Sequence, residues 1–166
     1  MTKMKKTQEI NTEVLVDLIN QLSEISKWLA GEYTSIERAY NRYQSFYVPL
    51  SDALRDFGIR IEYNGYAYIL EAVRIIIERN NLDLSLKTDV YPPIARKYHI
   101  RQTDSIEHNI RNAIGAAYRD NIKEPGSNMM GIFHRKPTSK QFLMYLADYV
   151  RRSMYEGQTT EELNVG

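Results

Sequence analysis

The chain contains no cysteine, which excludes disulfides, thiolate zinc sites and cysteine nucleophiles and fits a reducing compartment. It has almost no net charge either: 22 Lys and Arg against 21 Asp and Glu leave +1. No overall positive field advertises nucleic acid, so any such case rests on local charge. Long apolar runs are missing as well. The longest aliphatic stretch, Ile75 to Ile77 behind Val73 and Arg74, is far too short to span a bilayer, and the basic start MTKMKKTQEINTEV has no apolar core behind it. There is no P-loop, dinucleotide fingerprint or nucleophile elbow. His99, His108 and His134 lack metal-ligand spacing, and carboxylate pairs such as Glu9 with Glu13 or Asp52 with Asp56 sit at the spacing of a solvated helix face. These absences lead us to expect a soluble, cytoplasmic protein with no enzymatic activity, cofactor, metal or membrane partner.

What is present is helical periodicity. A chain of 166 residues, 43% hydrophobic and 26% charged, has the composition of a soluble globular protein. It is long enough for one good core, or for one domain of about 100 residues and an appendage. From about Thr7 to Ala30, Leu15, Leu18, Leu22, Ile25 and Leu29 recur at alternating steps of three and four, widened by Val14, Ile19 and Trp28. Gly31 can end that helix, and Thr34 with Glu37 has the spacing of a capping box opening a second one, with Ile36, Tyr40, Tyr43 and Tyr47 on one face and Pro49 closing it. Residues 1–48 therefore read as an αα-hairpin that must pack on the rest of the chain, a second copy or another protein. Tyr33, Tyr40, Tyr43 and Tyr47, among thirteen tyrosines, fit helix packing, with a small-molecule pocket of unidentified ligand as the other reading.

Residues 49–155 read as a string of shorter helices. Ser51 to Phe57 precedes Gly58, the turn Asn64–Gly65 opens a core helix from Tyr66 to Asn80, and Leu82, Leu84 and Leu86 form an extended connector whose leucines plug the core. Two short amphipathic helices follow around a compact polar turn, YPPIARKYHIRQTDSIEHNIRNAIGAAY at 91–118. The first is capped by Thr88 or Asp89. The second opens at Asp104, whose spacing to Glu107 is that of a capping box, and keeps Ile106, Ile110, Ala113, Ile114 and Ala117 on one side. Ser105, His108, Asn112 and Arg119 lie opposite. That is the layout of a helix-turn-helix whose second helix enters a DNA groove. A loop with Pro125, Gly126 and Gly131 leads to a last helix from Thr138 to about Met154, with Thr138 and Gln141 as a further cap, and the polar residues 156–166 read as a mobile tail.

GYAYILEA at 65–72, YPPIARKY at 91–98, SIEHNIRNAIGAAY at 105–118 and KPTSKQF at 136–142 occur in one order and spacing. In these blocks the chain resembles the C-terminal DNA-binding domain of stage 0 sporulation protein A, a response-regulator family. The resemblance covers about Leu50 to Arg152. It implies an all-α effector domain of about six helices containing a helix-turn-helix, here preceded by the helical hairpin. It also implies binding to a short box of double-stranded DNA, commonly as tandem copies. In the family this domain follows a phosphoacceptor receiver, whereas here only the hairpin stands before it, so receiver phosphorylation is not the expected switch. The family also carries arginines where this chain has Ser105 and His108, and a histidine at Asn112, while Glu107 and Arg111 match. Serine cannot make the bidentate arginine-to-guanine contact, worth about 1–3 kcal/mol of discrimination, so a different or more weakly read box is expected.

The expectation is a sequence-specific transcription regulator in which Ser105, Glu107, His108, Arg111 and Asn112 face base edges or adjacent phosphates. Arg101, Arg119 and Lys136 join them at the interface, within a local cluster that also holds Arg96, Lys97, Lys123, Arg135 and Lys140. A homodimer formed through the N-terminal hairpin is the expected assembly. The alternative is an adaptor that keeps the fold but pairs with a full-length regulator to block or redirect it.

Overall fold

The computed structural model describes residues 12–81 and 83–163, and its side chains from Leu15 to Met154 apart from Leu82. Among these residues there is no strand, and six α-helices follow one another: α1 (Thr12–Arg42), α2 (Val48–Asp56), α3 (Tyr66–Arg79), α4 (Tyr91–Lys97), α5 (Thr103–Lys123) and α6 (Ser139–Leu163). Wider π-type turns at Tyr43–Tyr47 and Leu86–Val90 precede α2 and α4, and a short 3-10 turn at Met129–Ile132 lies between α5 and α6. The chain divides into two compact units, with the boundary between Arg42 and Tyr43.

The first unit corrects the hairpin. Thr12 to Arg42 is one uninterrupted helix of 31 residues. Gly31 sits inside it with nothing within 4 Å of the position a Cβ would take; a glycine in a helix interior costs only about 1 kcal/mol, which a long amphipathic helix absorbs. Thr34 does not cap a second helix, because its hydroxyl donates to the Ala30 carbonyl at 2.8 Å. Pro49 closes nothing either: it lies in the first turn of α2, where its missing N–H is not needed. Residues 7–11 of the expected first helix lie outside the described residues.

In the second unit α6 packs against α2, α3 and α5, and α4 packs against α3 and α5. The core is aliphatic on α3, α4 and α5 (Ile69, Val73, Ile76, Ile94, Ile106, Ile110, Ile114) and on α6 (Leu143, Leu146, Val150). It is aromatic where α2 meets α6: Phe57 stands edge-on to Phe142 at 5.4 Å and 89°, with Phe133 and Tyr145 closing the cluster. The leucine connector does plug the core through Leu84, which is buried, but it then coils into the Leu86–Val90 turn instead of remaining extended. Asp89 braces that turn by accepting the Ser85 N–H at 2.8 Å, and it does not cap α4.

Two close approaches fix α5. A Cβ at Gly65, which precedes α3, would lie 2.4 Å from the Asn109 carbonyl oxygen, so only glycine lets the start of α3 rest on the α5 backbone. Asn128, beyond the far end of α5, donates its side-chain amide to the Ala117 carbonyl (2.9 Å) while its Oδ1 accepts the Met130 N–H (2.9 Å). The last helix opens with the expected reciprocal cap: Gln141 Oε1 accepts the Thr138 N–H (3.0 Å) and Thr138 Oγ1 accepts the Gln141 N–H (3.2 Å). It runs past Met154 to Leu163, so the expected tail is helical from 156 to 163, and 164–166 lie outside the described residues.

Candidate nucleic-acid interface

The α4 and α5 helices form the helix-turn-helix. The turn is tight because α4 ends in a Schellman motif: Ile100 N–H reaches the Ala95 carbonyl (2.8 Å), His99 N–H reaches the Arg96 carbonyl (3.4 Å), and His99 takes the left-handed conformation at φ 55°. His99 is therefore a capping residue in a position that favours glycine. The α4 helix is anchored to α3 by Lys97, which donates to the carboxylate of Glu71; Arg74 binds the other oxygen of that group at 3.0 Å. Glu71 is the one buried charged side chain among the described residues, at 4% exposure. This hydrogen bond holds the Lys97 ammonium above its ordinary pKa.

The second helix starts one residue before the expected cap. Its N-cap is Gln102, with no side-chain cap bond, and the Asp104–Glu107 capping box does not form. Ser105 closes the first turn instead, its hydroxyl donating to the Gln102 carbonyl at 2.7 Å. Ile106, Ile110, Ala113, Ile114 and Ala117 are buried as the spacing requires. On the other side Ser105, His108, Arg111, Asn112 and Arg119 are exposed, and so are Arg101 in the turn and Lys136 before α6. His108 Nε2 and Asn112 Nδ2 lie 2.8 Å apart, one helical turn from each other.

Glu107 is partly buried and joins Arg111 in a groove of about 540 Å³ lined also by Asp83, Lys87, Tyr91, Lys136, Ser139 and Lys140. Four cationic side chains there face two carboxylates. Tyr91, buried at the start of α4, lines the groove. Burial first, then the nearby Glu107 charge, pushes its hydroxyl up to about 12, against a hydrogen bond with Ser139 and the Arg111 charge. The phenol is thus neutral at any ordinary pH and acts as packing. At Gly115, further along α5, the guanidinium of Arg119 and the ammonium of Lys136 converge, 3.4 and 3.9 Å from where a Cβ would stand.

The cations differ in what stands beside them. Arg55, Arg60, Arg74, Arg79, Lys97 and Arg152 each sit within 4 Å of a carboxylate. Among the described residues Arg101, Arg111, Arg119 and Lys136 have no such partner. A cation already paired must break that pair to bind a phosphate; one left in water exchanges only hydration and counterions. Sequence reading missed Lys87 and the role of Tyr91, which come from the connector and the π-type turn before α4. It also missed Gly115, although a small residue four positions before Arg119 on a helix is a visible signal. Among the described residues no group of His, Asp and Glu is arranged to hold a metal ion, and no helix is long and apolar enough to cross a membrane.

An all-α unit with an exposed, partner-free basic face on the second helix of a helix-turn-helix has the architecture of a DNA-binding regulatory domain. The chain matches the family model described as sporulation initiation factor Spo0A C terminal over residues 50–150, and it belongs to that family. Membership makes it a DNA-binding regulator in general terms, and the family is regulatory rather than catalytic.

Proposed function

We propose that this chain is a sequence-specific transcription regulator that lays α5 in the major groove of double-stranded DNA. Ser105, Glu107, His108, Arg111 and Asn112 address base edges or adjacent phosphates, and Arg101, Arg119 and Lys136 hold the backbone. The carrying observation is the concentration, on and beside the second helix of the motif, of cations that among the described residues have no carboxylate within 4 Å: Arg101, Arg111, Arg119 and Lys136. The protein acts in the cytoplasm as a homodimer through its N-terminal region.

Arg111 carries the base-reading role that matters most, since the Ser105 hydroxyl is engaged with its own turn and His108 and Asn112 with each other. Selection from random DNA at moderate salt is expected to enrich a short motif. Arg111→Ala then loses about 1–3 kcal/mol of discrimination at one position of it, while Lys136→Ala weakens all sequences evenly and lowers the salt slope by about 1. No enriched motif, or an unchanged Arg111→Ala variant, refutes the reading. The same engaged side chains favour the second reading, an adaptor that blocks a full-length regulator. It predicts no motif and a stable complex with such a regulator.

A further inference from the structure

The apolar side chains of α1 repeat in heptads. Leu15, Leu22, Leu29 and Ile36 occupy one core position, and Leu18, Ile25 and Ala39 the other, interrupted at Glu32. The large ones are exposed, Leu22 at 58% and Ile36 at 65% for instance, and on the shoulders so are Ile19, Trp28, Tyr33 and Tyr40. We propose that this face is a coiled-coil seam whose occupant is α1 of a second copy of the chain, running antiparallel. This sharpens the dimerisation proposed above by naming its residues and direction, and it rests on that reading of the N-terminal region.

Three observations point to a second copy. A seven-residue spacing, held for four heptads at one core position and broken once at the other, drifts off the surface of a straight helix and stays in contact only with another helix that supercoils around it. Of the shoulder positions beside the seam, Ile19, Gln21, Ser26, Trp28, Tyr33, Ser35 and Tyr40 carry no charge, and Arg42 at the last residue of the helix is the one exception among the described residues. Two identical helices therefore meet without like-charge repulsion, and nothing at those positions dictates a different partner. Apart from Glu32 and Arg42 the charges lie outside: Asp17 is bonded to Gln21 and Glu24 to Lys27 on the helix's own surface.

Direction follows from Glu32 and from the ends. In a parallel, in-register pair Glu32 would face its own copy inside an apolar layer, at the cost of burying like charges. An antiparallel pair sets each Glu32 against an aliphatic layer. It also brings the acidic start, with Asp17 and Glu24, alongside an end where Arg38 and Arg42 outnumber Glu37.

The test is solution mass by sedimentation equilibrium of the full chain at tens of micromolar. The expected mass is twice 19.4 kDa; one copy, or three or more, overturns the proposal. Leu22→Glu with Ile25→Glu is expected to give a monomer whose second unit melts as before, because both side chains are exposed in the single chain. A double variant that stays dimeric overturns it too. Since the chain has no cysteine, single spin labels at Asn20→Cys, Lys27→Cys and Asn41→Cys report direction. Antiparallel pairing gives a short inter-copy distance at 27 and long ones at 20 and 41, and equal short distances at all three overturn the direction. A monomeric wild-type chain that still selects a DNA motif refutes the seam and leaves the DNA reading standing.

Discussion

The α1 and α5 helices are both long and amphipathic, yet each leaves the opposite face open. The α5 helix buries Ile106, Ile110 and Ile114 and exposes Arg111, Asn112 and Arg119; α1 exposes Leu22, Ile25 and Trp28 along with its charges. A polar face with unpaired cations is stable in water and available to an anion. An exposed apolar stripe is a standing free-energy cost that only another apolar surface removes. The two helices therefore point to two classes of partner, nucleic acid for one and protein for the other.

The sharpest way to break this comparison is to remove a large ring from each helix system. Phe142→Ala takes a fully buried ring out of the cluster with Phe57 and Phe133 and is expected to destabilise the second unit by about 3–5 kcal/mol in chemical denaturation. Trp28→Ala, at 64% exposure, is expected to leave the unfolding of that unit within about 0.5 kcal/mol of wild type. If Trp28→Ala costs as much as Phe142→Ala, the stripe on α1 already serves a core within the chain and the contrast between the helices fails.

A second experiment sharpens how α5 is held. Gly65→Ala places a methyl 2.4 Å from the Asn109 carbonyl, where the obstacle is backbone and has no rotamer to change. Destabilisation of about 1–3 kcal/mol is expected, as for other overpacked sites. DNA affinity should fall with it, because α5 must shift to make room. A melting temperature equal to wild type would mean that α3 does not set the position of α5.

Much of this was legible before the structure, and the failures have a common cause. The all-α architecture and the buried faces of α3, α5 and α6 followed from periodicity, because an apolar stripe on a globular helix has few places to go. The Thr138–Gln141 cap was legible because both partners are local and both bonds form. The Thr34 and Asp104 caps carried the same spacing and did not form. In one the hydroxyl found a carbonyl of its own helix, and in the other Ser105 closed the first turn from one residue further on. Local spacing shows which bonds are available and leaves open which competitor wins. The exposed residues of α5 were legible as a face, whereas the groove was not, since Lys87, Tyr91, Arg111 and Lys140 come from four segments that only the packing of α4, α5 and α6 brings together.

A smaller gain in stability concerns the turn that joins the two helices of the motif. His99 closes the Schellman motif at φ 55°, a region where a Cβ crowds the backbone and glycine does not. The side chain is exposed, so its removal should forfeit little packing. His99→Gly is expected to raise stability by about 0.5–1 kcal/mol, the relief of left-handed strain outweighing the added freedom of the unfolded chain. A variant that is less stable than wild type would show that the imidazole contributes a bond that the turn depends on. The α5 face would then rely on His99 for more than the bend that presents it.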